Sequence, residues 1–303
     1  MAKSNPIIKA ALEKARVDFL EYNVQQQRKI YELFDQTSKS IIEKLNKYIV
    51  AGKIPPTRLK YLLIQISEEM KYLRPKLKGV ITASQQSAID FGLKMSIIGA
   101  DAVTPNTLKA GIGTSFIGKD GIVRKYDAKE EAYSASMWAR INKEAMDALI
   151  KTAYGGITLS RRVWDVTWPV ERQIRNKINY SVLTGTSANG LARQIRSYLG
   201  LPKSFSSIVS EALHPGSGVY RSAYQNARRL AVTEINRAFH EGVLRYGKNK
   251  TWVSGYIWRT ASGNPCEECE SNEGQFFPKD EPPDIPLHPW CFCYAEITYE
   301  PDE

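Results

Sequence analysis

Apolar side chains recur at helical spacing along the first hundred residues. Leu12 and Phe34 belong to one such series over residues 7–50, which no proline or glycine interrupts. The stretch GKIPP at 52–56 breaks the pattern, and a second series follows it. Helical periodicity sustained well beyond about 25 residues is typical of a coiled coil or a helical arm. The pattern therefore predicts a long helical hairpin over residues 1–100, whose helices also offer a surface for self-association.

Residues 104–127 depart from helical spacing because they are rich in glycine and threonine. The four residues GKDG have turn chemistry and separate TSFI from IVRKY, which predicts a small β-hairpin. The run Gly111-Ile112-Gly113 lacks the other elements of a phosphate-binding loop. A first region, residues 1–127, is therefore expected to be a helical arm or hairpin that ends in this loop.

Residues 128–250 show helical periodicity again and predict a central helical domain. Capping and helix-breaking residues divide the region into five helices. They are expected over 129–154, from Trp168-Pro169 to about Leu183, from a cap at Ser187 to Gly200, over 204–213 and over 219–247.

After Lys250 apolar and polar residues alternate instead. The stretches TWVSGYIWRT and CYAEITYE each have the spacing of a β-strand. The sequence therefore predicts a mainly α protein with a long N-terminal helical hairpin, a central helical domain and a small C-terminal α+β unit over residues 251–303.

Charge is divided unevenly along the 303 residues. Residues 1–263 contain 41 bases and 21 acids, a net charge of +20, whereas residues 264–303 contain one base and eleven acids, a net charge of −10. A strongly basic body favours a polyanionic partner, most simply nucleic acid. No apolar run approaches the ~18–20 residues that cross a bilayer, so no membrane partner is expected.

All four cysteines lie in the last 40 residues, beside a histidine. Cys266 and Cys269 form a C-x-x-C pair, and Cys291 and Cys293 stand in the stretch HPWCFC with His288. Two pairs of soft ligands can build a tetrahedral zinc site from four cysteines, or from three cysteines and His288. Two disulfides, or free thiols, are the alternatives, and a reducing cytoplasm disfavours the disulfides. A structural zinc site is expected, since this acidic, proline-rich unit is poor in aliphatic residues that could form a core.

The histidines allow two interpretations. His288 can be a zinc ligand, or it can orient the turn by donating its ring N–H to a backbone carbonyl. His214 and His240 have the context of ordinary turn and helix residues. Residues 1–150 contain neither histidine nor cysteine, and the H-x-E half of a zinc deaminase motif is missing, so no enzyme activity is expected.

Five stretches in the C-terminal half follow the order and spacing of a known family's motifs. They are GTSANGLARQI (185–195), RRLAVTEINRAFHEG (228–242), YIWRT (256–260), CEECESNEGQFF (266–277) and HPWCFC (288–293). Residues 160–300 thereby resemble the phage Mu F-like (MuF) minor head proteins. The sequence departs from the family where Val232 begins the Val-Thr-Glu patch, usually Arg-Thr-Glu, and where Phe292 replaces the arginine between the last two cysteines.

The resemblance implies a virion protein of the head interior near the portal vertex, made in the host cytoplasm. Its implied partners are the portal protein, packaged double-stranded DNA and the major capsid protein. Related modules sometimes carry toxin domains, so an effector enzyme is one alternative, and a zinc-containing DNA-binding regulator is another. Basic residues of the helical region are expected to contact phosphate without sequence preference. They are Arg161, Arg162, Arg172, Arg175, Lys177, Arg193, Arg196, Arg228, Arg229 and Arg237.

Overall fold

The computed structural model describes residues 6–101, 115–117, 123–125, 128–151, 157–200, 222–248, 250, 253–260 and 265–299. The fold is mainly helical with a small C-terminal antiparallel sheet, as the sequence predicts. The helices are α1 (Pro6–Lys47), α2 (Pro56–Asp101), α3 (Ala128–Lys151), α4 (Leu159–Thr184), α5 (Ala188–Leu199), α6 (Ala223–Lys248) and the short α7 (Glu267–Ser271). The strands are β1 (Ser115–Ile117), β2 (Val123–Lys125), β3 (Val253–Arg259), β4 (Phe276–Pro278) and β5 (Tyr294–Tyr299). None of the described helices is long and apolar enough to span a membrane.

The chain forms two compact units, each assembled from separate stretches. Unit 1 contains Met1–Asn23, Ala83–Thr152 and Thr233–Glu303, and unit 2 contains Val24–Thr82 and Ala153–Val232. Neither unit coincides with one of the three consecutive segments expected from the sequence, because α1, α2 and α6 each contribute residues to both units.

Unit 2 is built around the turn between α1 and α2. Val50 and Lys53 exchange backbone hydrogen bonds across this turn, and Ala51 and Gly52 adopt positive φ angles. Its core joins apolar side chains of α1 and α2, such as Ile41 and Ile66, to those of α4 and α5. The predicted hairpin of two long helices is therefore present.

Helix α4 begins ten residues before the predicted start. The sequence places Trp168-Pro169 at the helix opening, but Thr158 is the N-cap and its side chain accepts a hydrogen bond from the Arg161 amide. Pro169 lies inside the helix. The Trp168-Pro169 prediction is wrong because a proline favoured in the first turn can also sit within a helix that packing stabilises.

Helix α5 begins and ends as the sequence predicts. The Ser187 side chain accepts a hydrogen bond from the Gly190 amide, and Gly200 ends the helix with φ 65°. A Cβ atom at Gly200 would lie 1.9 Å from the Cβ atom of Ser222, so glycine is required there. The helix predicted over 204–213 lies outside the described residues.

Unit 1 brings α2 and α6 into backbone contact. A Cβ atom at Gly92 would lie 2.1 Å from the Phe239 carbonyl oxygen, and one at Gly242 would lie 2.6 Å from the Ile89 carbonyl oxygen. The ring of Phe19 on α1 packs 4.3 Å from that of Phe239, centroid to centroid. These glycines let α6 lie close to α2, and α6 carries the residues that hold the candidate site.

The three-stranded sheet of unit 1 has the order β4–β3–β5, with both pairings antiparallel. Tyr256 and Trp258 of β3 are almost fully buried. The predicted strands β3 and β5 are confirmed, as is the β1–β2 hairpin. The sheet positions both segments that carry cysteines. Strand β5 starts directly after Cys293, and the turn after α7, which carries Cys269, bonds to β3 through Gly274 and Trp258.

Candidate metal centre

The C-x-x-C pair lies at the start of α7. Cys266 is the N-cap of this five-residue helix, and its Sγ accepts a hydrogen bond from the Cys269 amide at 3.4 Å. The turn therefore presents two sulfur atoms on one side, with Cys269 buried and Cys266 partly exposed. This is the geometry that a C-x-x-C motif offers to a metal ion.

The sulfur and nitrogen donors form two triangles that share Cys269. Cys266, Cys269 and His288 make one triangle, and Cys269, Cys291 and Cys293 make the other; within each, the donor atoms lie within 4.8 Å of one another. The structure thus brings all five predicted donors together. All four cysteines are free thiols here, so the disulfide alternative is not realised in this structure.

His288 directs its Nε2 atom at the C-x-x-C pair. The distances are 3.1 Å to Cys266 Sγ and 3.2 Å to Cys269 Sγ. On the other side of the ring, Nδ1 lies 2.8 Å from the Pro289 carbonyl oxygen and donates its hydrogen to it. That hydrogen bond selects the tautomer whose Nε2 lone pair points at the sulfurs, the usual arrangement of a metal-binding histidine.

A sharp turn brings Cys291 back to His288. Trp290 has φ 68°, a left-handed conformation that is rare for a bulky side chain. The Cys291 amide then donates to the His288 carbonyl oxygen at 3.1 Å. Because of this turn, the His288 ring nitrogen and the Cys291 sulfur both lie close to Cys269.

A polar face of α6 holds the loop that carries these donors. Thr233 Oγ1 accepts a hydrogen bond from the Trp290 amide at 3.3 Å. Asn236 Nδ2 donates to the carbonyl oxygens of Cys291, at 2.7 Å, and Cys293, at 3.2 Å. His240 Nε2 donates to the Pro283 carbonyl oxygen at 3.0 Å. All three α6 side chains are buried, so these bonds satisfy loop groups that water cannot reach.

The α6 anchors are residues that the sequence analysis did not identify. Thr233, Asn236 and His240 occupy positions i, i+3 and i+7, which share one helix face. His240 is assigned above to an ordinary helix position, but it is a buried anchor. The sequence feature that could have identified these anchors is their alternation with apolar residues such as Ile235 and Phe239, in a helix that is buried on most sides.

The thiols of the cluster differ in acidity. Hydrogen bonding from Cys293 stabilises the thiolate of Cys291 and lowers its pKa to about 5, against the opposing effect of burial. Burial, followed by the neighbouring Cys291, raises the pKa of Cys269. The thiolate is the form in which cysteine binds metal.

The donor set fits a tetrahedrally bound ion. Sulfur atoms bound to zinc at about 2.3 Å lie roughly 3.8 Å apart at tetrahedral angles. The Sγ atoms of Cys269 and Cys291 are 3.8 Å apart. These two sulfurs therefore already have the spacing of two ligands of one ion, and the cluster could bind a metal through four cysteines or through three cysteines and His288.

The ten predicted DNA-contacting residues occupy different environments. Nine belong to unit 2, and Arg237 belongs to unit 1. Arg161, Arg172, Arg193 and Arg196 are exposed on α4 and α5. Arg162, Arg175, Lys177 and Arg229 are partly buried, and Arg175 donates to Ser67 Oγ at 2.7 Å.

Arg228 and Arg237, two of the residues predicted to contact phosphate, make internal contacts. Arg228 is buried and donates from Nε to Gln27 Oε1 at 2.6 Å. Arg237 pairs with the buried Glu234, which also accepts a hydrogen bond from Gln85. Breaking either contact to reach a phosphate would leave a buried polar group unsatisfied. The exposed arginines of α4 and α5 are therefore the better candidates for DNA contact.

No protein-family model, no curated protein and no solved structure matches the chain. The resemblance to the phage head proteins therefore rests on the five motifs alone. All five motifs lie in described parts of the chain: for example, Ser187 caps α5 within the first, and the stretch from 228 to 242 runs along α6 beside the cysteine loop.

Proposed function

We propose that this protein is a structural minor head protein of a tailed bacteriophage. In this proposal a zinc ion holds the C-terminal segment, residues 251–303, against the helices, which we call the zinc clip. Exposed arginines contact packaged DNA. The cysteine cluster carries the proposal, because its five donors form two triangles that share Cys269 and the loop that bears three of the donors is anchored on α6. The portal vertex is the proposed location, and the motif order and the basic body support it.

The zinc ion has a structural role in this proposal. Five possible donors are enough to fill all four tetrahedral positions without water, as structural sites do. Cys269, Cys291 and Cys293 are buried, so a bound ion lies out of bulk solvent. Bound zinc then supplies folding free energy to a unit whose sheet has three short strands.

Metal analysis of the purified full chain tests the zinc clip. We expect one zinc per chain after anaerobic reconstitution, and loss of most of it in Cys269→Ser, because Cys269 belongs to both donor triangles. Ser96→Ala is the matched control, since Ser96 is buried in the same unit and bonds only to the Gly92 carbonyl oxygen among the described groups. Equal zinc contents in wild type and Cys269→Ser would refute the clip.

DNA contact is tested by neutralising the four exposed arginines. Arg161, Arg172, Arg193 and Arg196 changed together to Gln should reduce the slope of log affinity against log salt by about 3–4, because each lost phosphate contact removes roughly 0.9. The matched control changes four exposed cations outside the predicted set, all in unit 1: Lys14, Lys94, Lys143 and Lys248. Equal slopes in the two variants would remove the predicted DNA surface.

Quantitative mass spectrometry of purified phage particles tests the location. A few copies per particle are expected of a minor head protein. If the protein is absent from particles and free in infected cells, the head proposal fails.

A further inference from the structure

Arg16 places a positive charge beside the cysteine loop. It lies on α1, and its Nη2 donates a hydrogen bond to the carbonyl oxygen of Phe292, the residue between Cys291 and Cys293. The guanidinium carbon lies 5.4 Å from the ring centroid of Phe19, 5.6 Å from that of Phe239 and 4.7 Å from that of Tyr294. The charge is thus enclosed by three aromatic rings and one carbonyl group.

Within the described part of the chain, no carboxylate pairs with this guanidinium. Arg16 Nη1 is inaccessible to water and has no hydrogen-bond partner there. Burial lowers the pKa of Arg16 to about 10, against opposing effects of Tyr294, Cys293 and Cys291, and Arg16 stays charged at neutral pH. A cation that is shielded from water and has no counter-charge is destabilising, and the cation–π contacts offset only part of that cost.

The cysteine cluster supplies the missing negative charge when a divalent ion binds to it. Three thiolates and a neutral histidine around a divalent ion carry a net charge of −1, and four thiolates carry −2. Both ligand sets that the structure allows are therefore anionic. Such a centre needs a nearby cation in a buried environment, and Arg16 is the cation that contacts its loop.

We propose that Arg16 is the counter-charge of the metal centre and that it couples the docking of the N-terminal part of α1 to metal loading. The proposal rests on the zinc clip described above. It makes Arg16 a positioning residue: Arg16 binds the loop that holds His288, Cys291 and Cys293 and does not bind the ion. It also connects residue 16 to a site formed by residues 266–293.

Two substitutions separate the charge of Arg16 from its packing. Arg16→Met keeps an unbranched side chain among the aromatic rings but removes the charge, and Arg16→Lys keeps the charge. Zinc affinity of the full chain is measured anaerobically by competition with a chromophoric chelator. We expect Arg16→Met to weaken zinc binding by about 10–100-fold, the range seen when a group that supports metal ligands is lost. Arg16→Lys should retain most of the affinity.

Cobalt provides a readout that a general packing defect would not give. The thiolate-to-cobalt absorption should be the same in all three proteins, because Arg16 is not a ligand. Equal affinity in wild type and Arg16→Met would overturn the proposal, as would an equal loss in Arg16→Lys and Arg16→Met. If the wild-type chain binds no zinc, the zinc clip itself fails and the proposal falls with it, which is a distinguishable result.

Amide hydrogen exchange of the wild-type chain covers the case in which Arg16→Met does not fold. Removal of zinc should increase exchange in α1 around Arg16, and exchange around Ile41 in unit 2 serves as the internal control. Unchanged exchange around Arg16 after zinc removal would contradict the coupling.

Discussion

His240 should make the stability of unit 1 depend on pH. Its Nε2 atom donates to the Pro283 carbonyl oxygen, and its Nδ1 atom is buried without a partner in the described part of the chain. Burial lowers the pKa of His240 from 6.5 to about 4, against smaller opposing effects of Pro283 and Asp284. The folded protein therefore holds this imidazole neutral, whereas the unfolded chain protonates it near pH 6.5.

The sign and size of the effect follow from this difference. A depressed pKa contributes stability that is fully present above about pH 6.5 and is lost as the pH falls towards about 4. The difference between the unfolded and folded pKa values of His240 corresponds to about 3 kcal/mol of unfolding free energy. About 2 kcal/mol of this is lost between pH 7 and pH 5. His240 is only 4% exposed, so solvent screening does not reduce this figure much.

The assay compares His240 with a side chain that does not titrate. His240→Gln can still donate to Pro283, and changing Trp164 and Trp168 to Phe in both proteins leaves only tryptophans of unit 1 to report on unfolding. Urea unfolding is followed by fluorescence at each pH with excess zinc. The difference in unfolding free energy between the two proteins should shrink by about 2 kcal/mol from pH 7 to pH 5.

Because pH also changes zinc binding in both proteins, only their difference isolates His240. A difference that stays constant from pH 7 to pH 5 would show that His240 is protonated or hydrated in the folded protein. Water would then reach the groups between α6 and the loop around Pro283.

Two further substitutions test the packing that positions the site. Gly92→Ala should destabilise unit 1 by about 3 kcal/mol, because the added methyl group collides with the Phe239 backbone. Gly79→Ala in the same helix adds a methyl group that has no atom within 4 Å, so it should stabilise the protein by about 0.5–1 kcal/mol. Equal effects in urea unfolding would refute the close approach of α2 and α6. Asn236→Ala should cost about 2–4 kcal/mol because two buried carbonyl groups lose their donor, whereas the half-buried Asn226→Ala should cost less than about 1 kcal/mol. Similar losses at the two asparagines would show that the loop does not depend on α6.

The parts of the fold that could be predicted are those with local causes. The long helices follow from periodicity within each segment, and α5 follows from the Ser187 cap and the glycine at 200. The cysteine cluster could be predicted because its members fall in one short window of a chain that has no other cysteine. In each of these cases, neighbours in sequence carry the information.

The parts that could not be predicted depend on partners far away in the chain. Asn236 bonds to carbonyl groups more than 50 residues later, and Arg16 reaches Phe292 across 276 positions. The apolar neighbours of such a polar residue can indicate that the helix is buried, but they do not indicate which distant group the residue bonds. The early start of α4 has a local reason instead, because the hydroxyl cap at Thr158 is a weaker sequence signal than the proline inside the helix.

The two halves of the cysteine cluster differ in how the rest of the protein supports them. The half with Cys291 is fixed on α6 by directional hydrogen bonds from Asn236 and to Thr233. The half with Cys266 and Cys269 lies on α7, a five-residue helix that exposes most of its residues. The turn that follows α7 bonds to Trp258 of β3 through Gly274 and Gln275. Such a short helix is unstable without tertiary support, so the metal should contribute most of its folding free energy there. Zinc removal should therefore increase amide exchange across residues 265–271 far more than across residues 285–293, and equal increases would show that α6 does not hold the loop without the ion.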